Sequence, residues 1–241
     1  MTDTSRMKVE IWSDVVCPFC YIGKRKLEAA LDGWPQRDRV EVTWKSFQLA
    51  PGTRTDPTRN SVQNLAENKG WTLEQTWQAV ASVAERARAE GLTFNYEASK
   101  VANTFDAHRL EHFAASRGRG DEMTERLFKA YFVDGRNIGD HATLAELAAE
   151  IGLPAPDVKA MLASDEFADD VQRDIGEAAR FGINAVPCFV LDRRYAVSGA
   201  QDSAVLRQAL QQALSEREGP PDPATARSPA GAVCDPRGDC G

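Results

Sequence analysis

No stretch of the 241 residues approaches the roughly 20 consecutive apolar side chains that a membrane-spanning helix requires. Basic residues are outnumbered, 29 Lys and Arg against 36 Asp and Glu, and the resulting net charge of -7 argues against a general binder of nucleic acid or anionic membrane. Five cysteines are too few for a secreted scaffold stapled by disulfides, and the polar run Met1 to Met7 lacks the apolar core of a secretory signal. The expected setting is therefore the cytoplasm, where a sparse set of cysteines does redox or metal chemistry rather than stapling. What remains is ordinary for a globular protein: 42% hydrophobic and 27% charged residues, in a chain long enough to bury a sizeable core.

Lys8 to Trp12 alternate as a strand, and the turn Ser13-Asp14-Val15-Val16 leads into Cys17-Pro18-Phe19-Cys20. Ile22, Leu27, Ala30 and Leu31 continue as one helical face; Val40, Val42 and Trp44 then alternate with polar residues in a second strand that ends near Ala50-Pro51-Gly52, completing a β-α-β unit. From about Asn60 to Gly182 the period is helical, with a capping box at Thr72-x-x-Gln75, N-caps at Asp140 and Ser164, and stripes formed by Met123, Leu127, Ala130 and Tyr131 and by Leu144, Leu147 and Ile151. Strand character returns at Cys188 to Leu191. A turn at Asp192-Arg193-Arg194 and a second strand from Tyr195 to Val197 make a hairpin, and Leu206, Leu210 and Leu214 mark a terminal helix. The expectation is an α/β fold in which residues 7–58 and 183–216 build one sheet-containing domain and residues 59–182 form a helical insertion domain. Residues 217–241, rich in Pro, Ala, Gly and Asp, read as a flexible tail.

The chemistry concentrates in Cys17-Pro18-Phe19-Cys20. With Cys17 as N-cap, Pro18 falls at the first helical position, where its missing N–H costs nothing and its fixed φ suits the helix. Unpaired amides and the positive end of the helix dipole then face the Cys17 sulfur and favour thiolate, lowering its pKa from the ordinary value of about 8.5. Cys20 lies one turn deeper, within disulfide reach and better shielded, so Cys17 is expected to attack and Cys20 to resolve the mixed disulfide. Zinc offers a different use of the same spacing, with Cys234 and Cys240 as the second ligand pair, although the five residues between them exceed the usual structural zinc spacing.

A second constellation, Ala185-Val186-Pro187, precedes the third strand, where a proline is tolerated at the first position. A cis bond there would free the Val186 backbone to pair with an extended substrate beside Cys17; a trans proline would merely start the strand. His108 and His112, four apart on a helix, could face one metal, but no His-Glu-x-x-His pattern accompanies them and hydrogen-bonded helix-surface positions are expected, with no metal site. His141 follows the Asp140 cap and reads as a first-turn residue. Cys188 reads as a small buried hydrophobe, Lys24, Arg25 and Lys26 as a solvated helix face, and Trp12, Phe19 and Tyr21 as either core or an apolar platform for clients. In the tail, Pro236 and Gly238 favour a turn that brings Cys234 and Cys240 together as an accessory redox pair relaying electrons to or from Cys17/Cys20.

The Ser13-to-Gly23 segment around the cysteines, Val186-Pro187 before a strand, Ser198-Gly199-Ala200-Gln201 before the last helix and Asn103-Thr104-Phe105-Asp106-Ala107-His108-Arg109 together resemble the DsbA family of thioredoxin-fold oxidoreductases, and within it the cytoplasmic FrnE-like branch. The resemblance spans roughly Val9 to Leu214. It implies a thioredoxin fold, with a central mixed sheet and a large helical insertion, a cis-Pro187, substrate binding at Val186 and Pro187, and a redox-active Cys17/Cys20 pair. The expected activity is thiol–disulfide exchange with protein substrates, as oxidase or isomerase, with no cofactor beyond the redox-active disulfide and with glutathione or thioredoxin as exchange partner. The branch is also related to 2-hydroxychromene-2-carboxylate isomerases and kappa-class glutathione transferases. Those proteins generally present serine where this chain has Cys17, which disfavours a glutathione-dependent isomerase or transferase here; a zinc-binding interaction module is the remaining alternative.

Overall fold

The computed structural model describes residues 6–218. Strand β1 (Met7–Ser13) leads through a short turn into helix α1 (Pro18–Leu31), and β2 (Val40–Ser46) returns parallel to β1, with Met7 opposite Val40 and Ser13 opposite Ser46. Strands β5 (Cys188–Leu191) and β6 (Tyr195–Ser198) add the hairpin antiparallel to β1, giving the order β2-β1-β5-β6. The hairpin turn holds Asp192 at φ 47° and Arg193 at φ 56°, the positive angles that tight hairpin connections need for their twist. This is the mixed sheet that the resemblance leads one to expect, carrying a large helical elaboration.

Side-chain alternation along β1 assigns the two faces of the sheet. Met7, Val9 and Ile11 pack with Leu27 and Leu31 of α1 and with Leu206 and Leu210 of the terminal helix α9 (Ser203–Glu218). Trp12 points the other way, into a cluster with Ala178, Cys188 and Val190 beneath α8 (Ala168–Arg180). Arg207 of α9 secures the end of α1, its guanidinium donating to the carbonyls of Ala30 at 2.8 Å and Asp32 at 2.7 Å, which the helix terminus would otherwise leave unpaired.

Between the two strand pairs lie α2 (Ser61–Lys69), α3 (Leu73–Ala89), α4 (Phe105–Ala115), α5 (Gly120–Phe132), α6 (His141–Glu150), α7 (Ala155–Leu162) and α8. The capping box at Thr72 and Gln75 and the Asp140 cap, whose side chain accepts the Thr143 N–H, form as expected. Two details differ. Residues Asp56–Asn60 (β3) and Lys100–Val101 (β4) pair in a small antiparallel sheet that the helical period concealed, because two bridged strand ends carry too few residues to show an alternation. Ser164 does not cap α8. Its hydroxyl turns back to the Met161 carbonyl and closes α7, while Arg109 draws the Ser164 and Glu166 carbonyls inward, so α8 starts only after Phe167, held at φ 62°.

The largest apolar cluster joins α4 to α7 with Val15, Cys17, Cys20, Tyr21 and Ile22, so the start of α1 is seated against the helical region as well as the sheet. No helix among the described residues is long and apolar enough to cross a membrane.

Candidate active site

Cys17 occupies the N-cap of α1 with extended backbone angles, φ -88° and ψ 113°, and Pro18 opens the first turn. The Cys17 N–H donates to the Asp14 carbonyl at 2.9 Å and the Cys20 N–H to the Cys17 carbonyl at 3.1 Å, which folds the tetrapeptide tightly onto the helix end. Both cysteines are free thiols. Cys17 retains 4% exposure and Cys20 none, so only the first sulfur is positioned to meet a partner from solution. Burial holds the Cys20 thiol well above the ordinary thiol range, the neighbouring Cys17 sulfur adds to this, and the Ser13 hydroxyl and Asp14 backbone pull in the opposite direction.

Facing the helix end, the Val186-Pro187 peptide is cis. The Cys17 thiol donates to the Val186 carbonyl at 3.5 Å, and the Pro187 carbonyl accepts the N–H of Gly199 at 2.8 Å, which ties this loop to the end of β6. Gly23 admits the proline to α1: a Cβ at that position would lie 3.0 Å from Pro187 Cγ and 3.2 Å from Phe189 Cζ. The fold thus brings Cys17, Cys20, Val186 and Pro187 into one place. Cys234 and Cys240 lie outside the described residues.

The other candidates are distributed by packing. Cys188 is buried in the Trp12 cluster, where desolvation pushes its thiol up to about 11. Trp12 and Tyr21 belong to the core: the Trp12 indole donates to the Asp174 carbonyl at 2.9 Å, and Tyr21 stacks on Phe128 at 4.9 Å while its hydroxyl donates to Glu125. Phe19 is half-buried against the same core. Lys24 corrects the expected solvated face, being buried among Glu28, Asp121 and Glu125; burial opposes its charge, but the three carboxylates outweigh that and raise its pKa.

His108 and His112 do not share a ligand. His112 Nε2 lies 3.1 Å from Ser46 Oγ and 3.1 Å from Asp174 Oδ2, at the junction of α4, β2 and α8. His108 corrects the expected helix-surface position. It is buried, with Nδ1 2.7 Å from Glu111 and Nε2 2.9 Å from the Phe47 carbonyl and 3.4 Å from Asp14. His141 Nε2 sits 2.7 Å from Asp106, a structural contact at the start of α6. Among the described residues no group of three or more His, Cys, Asp or Glu is arranged to hold a metal ion. Sequence reasoning missed Asp14 and Tyr96. Asp14 stood beside the tetrapeptide but carried no spacing signal, and Tyr96, whose buried hydroxyl, like Asp14 Oδ1, has no hydrogen-bond partner among the described residues, packs against the apolar cluster that contains Cys17.

Comparison with known proteins agrees with this geometry. Uncharacterized protein YwbO of Bacillus subtilis (strain 168) is 32% identical over 207 residues, covering 84% of this chain and 94% of its own. The crystal structure of a probable DsbA oxidoreductase from Streptomyces coelicolor superposes with a TM-score of 0.83 at 40% identity, covering 98% of this chain and 99% of that one. Cytosolic disulfide reductase DsbM from Pseudomonas aeruginosa, also solved with GSH, shares the fold alone, with a TM-score of 0.62, 16% identity and coverage of 86% and 98%. The model of the DSBA-like thioredoxin domain matches residues 8–211, almost the whole stretch between β1 and α9, with the helix-capping Cys17 and the loop of Pro187 inside it, and the chain accordingly belongs to that family of oxidoreductase-type proteins.

Proposed function

We propose that this chain is a cytoplasmic thiol–disulfide oxidoreductase that exchanges disulfides with protein substrates through Cys17 and Cys20. The observation that carries the reading is the pairing of a helix-capping Cys17, in contact with the Val186 carbonyl at 3.5 Å, with a fully buried Cys20 one turn behind it. Cys17 stands at the start of α1 with the more accessible sulfur of the two, and burial withholds the inner one from external partners.

The step is balanced within the dithiol. Cys17 sulfur attacks a client disulfide, forming a Cys17–client bond and releasing the other client sulfur with the bonding electron pair. Cys20 then attacks Cys17, forming the internal disulfide and expelling the second client sulfur. The client gains two electrons and two protons and the pair loses them; the reverse order oxidises a dithiol client. Once Cys17 has lost its proton the Val186 carbonyl no longer receives a bond from it, which leaves that oxygen to accept an N–H from an extended client backbone.

Glutathione or thioredoxin is the proposed partner that resets the pair, and a structure of DsbM with GSH in the same fold supports glutathione in that role. Cys234 and Cys240 are proposed as an internal exchange partner. Insulin reduction and refolding of scrambled ribonuclease test the main reading. Cys17→Ser should abolish both activities, and Cys20→Ser should accumulate clients disulfide-linked to Cys17. Full activity of Cys17→Ser would overturn the proposal. For the tail, a Cys17–Cys234 or Cys17–Cys240 disulfide trapped in Cys20→Ser supports the relay, and exchange rates unaltered by removal of residues 219–241 refute it.

A further inference from the structure

The attacking sulfur is presented by a turn whose own sequence does little to hold it. Asp14, Val15, Val16 and Cys17 form a β-turn, closed by the Cys17 N–H donating to the Asp14 carbonyl at 2.9 Å. The two central positions carry valines, which favour extended backbone and bring none of the side-chain chemistry that usually stabilises a turn. An aspartate that opens such a turn commonly directs its carboxylate back onto the amides of the turn itself. The Asp14 side chain, buried at 1% exposure, is directed instead at two remote segments.

Oδ2 accepts the Leu49 N–H at 2.8 Å, and Oδ1, which has no hydrogen-bond partner among the described residues, faces His108 Nε2 at 3.4 Å as an ion pair. Both partners are anchored elsewhere. The stretch from Ser46 to Leu49 leaves the end of β2: the Phe47 N–H donates to the Ser13 carbonyl at 3.0 Å, the Ser46 N–H to Asp174 of α8 at 3.0 Å, and the Gln48 side chain to Asn103 and Thr104 ahead of α4, both at 3.3 Å. His108 of α4 meets the Phe47 carbonyl through Nε2 at 2.9 Å and Glu111 through Nδ1 at 2.7 Å. With both ring nitrogens facing acceptors the imidazole is held as the cation; burial opposes that charge, and the two carboxylates outweigh it. Asp14 therefore connects the Cys17 amide, through its own carbonyl, to α4 and to the segment that follows β2. Asparagine could not make the same two contacts, because its NH2 group would face either the Leu49 N–H or the His108 cation.

We propose that Asp14 is a positioning residue for the attacking sulfur: its carboxylate bolts the turn to Leu49 and His108, and its carbonyl passes that restraint to the Cys17 amide, which keeps the sulfur beside the Val186 carbonyl where an extended client is met. The inference rests on the exchange chemistry proposed above. In the step concerned, the Cys17 thiolate bonds to one client sulfur, the client S–S bond breaks, and the other sulfur leaves with the bonding pair. Asp14 touches none of these atoms.

That step is read alone in a Cys20→Ser background, using a peptide whose single cysteine is disulfide-linked to thionitrobenzoate. Capture forms the Cys17–peptide bond and releases thionitrobenzoate, which is followed by absorbance. Asp14→Asn should slow capture by about tenfold, where a misplacement of about 1 Å can cost about a hundredfold. Iodoacetamide, a small reagent that needs no alignment with Val186, should alkylate Cys17 of the same variant at least as fast as in the parent, because a loosened turn opens a residue that is only 4% exposed. These opposite changes, measured well below the melting temperature of each variant, separate misplacement from a general loss of thiol reactivity. Capture at the parent rate, or alkylation slowed as much as capture, would overturn the inference. Should Asp14→Asn fail to fold, Leu49 decides: Leu49→Pro removes the N–H that Asp14 accepts and Leu49→Ala keeps it, so slower capture by the proline variant, with alkylation undiminished, supports the inference, and equal capture by the two refutes it. Absence of any capture by the parent would instead remove the exchange reading.

Discussion

Gly23→Ala probes the contact between α1 and the Pro187 loop. The added methyl would sit 3.0 Å from Pro187 Cγ and 3.2 Å from Phe189 Cζ, whereas carbon atoms pack best at about 3.5–4.0 Å. Either the proline ring and the Phe189 ring retreat by roughly half an ångström, or α1 does. Overpacking of this kind costs about 1–3 kcal/mol. Against it, alanine in a helix interior is better than glycine by about 0.8–1 kcal/mol. The balance is a loss of about 0–2 kcal/mol, which for a chain of this size lowers Tm by up to about 8 °C. Exchange activity should fall by more than stability does, because displaced Pro187 carries Val186 and its 3.5 Å contact with Cys17 away from the helix end. Circular dichroism melts and insulin reduction measured on the same preparation separate the two effects. A variant that melts higher and reduces insulin at the wild-type rate would refute the reasoning, since it would show that the loop yields without consequence.

Three further outcomes are expected. The folded-state pKa of His108, raised from 6.5 to about 10, contributes stability that is fully present below pH 6.5 and is lost as pH rises through about 10; the stability gap between wild type and His108→Gln, followed by urea titration, should therefore close across that window, and a constant gap would contradict it. Arg109 donates to the Glu166 carbonyl at 2.9 Å, the Met161 carbonyl at 2.8 Å, the Ser164 carbonyl and Asp106, so Arg109→Met should cost about 3–5 kcal/mol by stranding buried acceptors, and a loss below about 1 kcal/mol in denaturant unfolding would show that water replaces the guanidinium. Alkylation with iodoacetamide at neutral pH, read by peptide mass, should modify Cys17 well before Cys20 or Cys188, as the latter two are buried with raised pKa values; early labelling of Cys20 would contradict its shielded place.

Much of the molecule was legible in the chain because its signals are local. Period-two runs marked β1, β2 and the hairpin; Pro18 after Cys17 announced the helix start; Thr72 with Gln75 and Asp140 announced two others. These depend on a few neighbouring residues and on backbone angles that the residues themselves prefer. Tertiary structure decided the rest. Nothing near His108 in sequence indicates that Asp14 will lie 3.4 Å away, nothing near Lys24 indicates Asp121 and Glu125, and Gly23 gains its meaning only when Pro187 arrives beside it. Ser164 has the chemistry of an N-cap but loses the position because Arg109, from a distant helix, claims the surrounding carbonyls. Charge state, burial and close packing are properties of what a remote segment places opposite a residue, and a periodicity read along one strand or helix carries no record of that opposite surface.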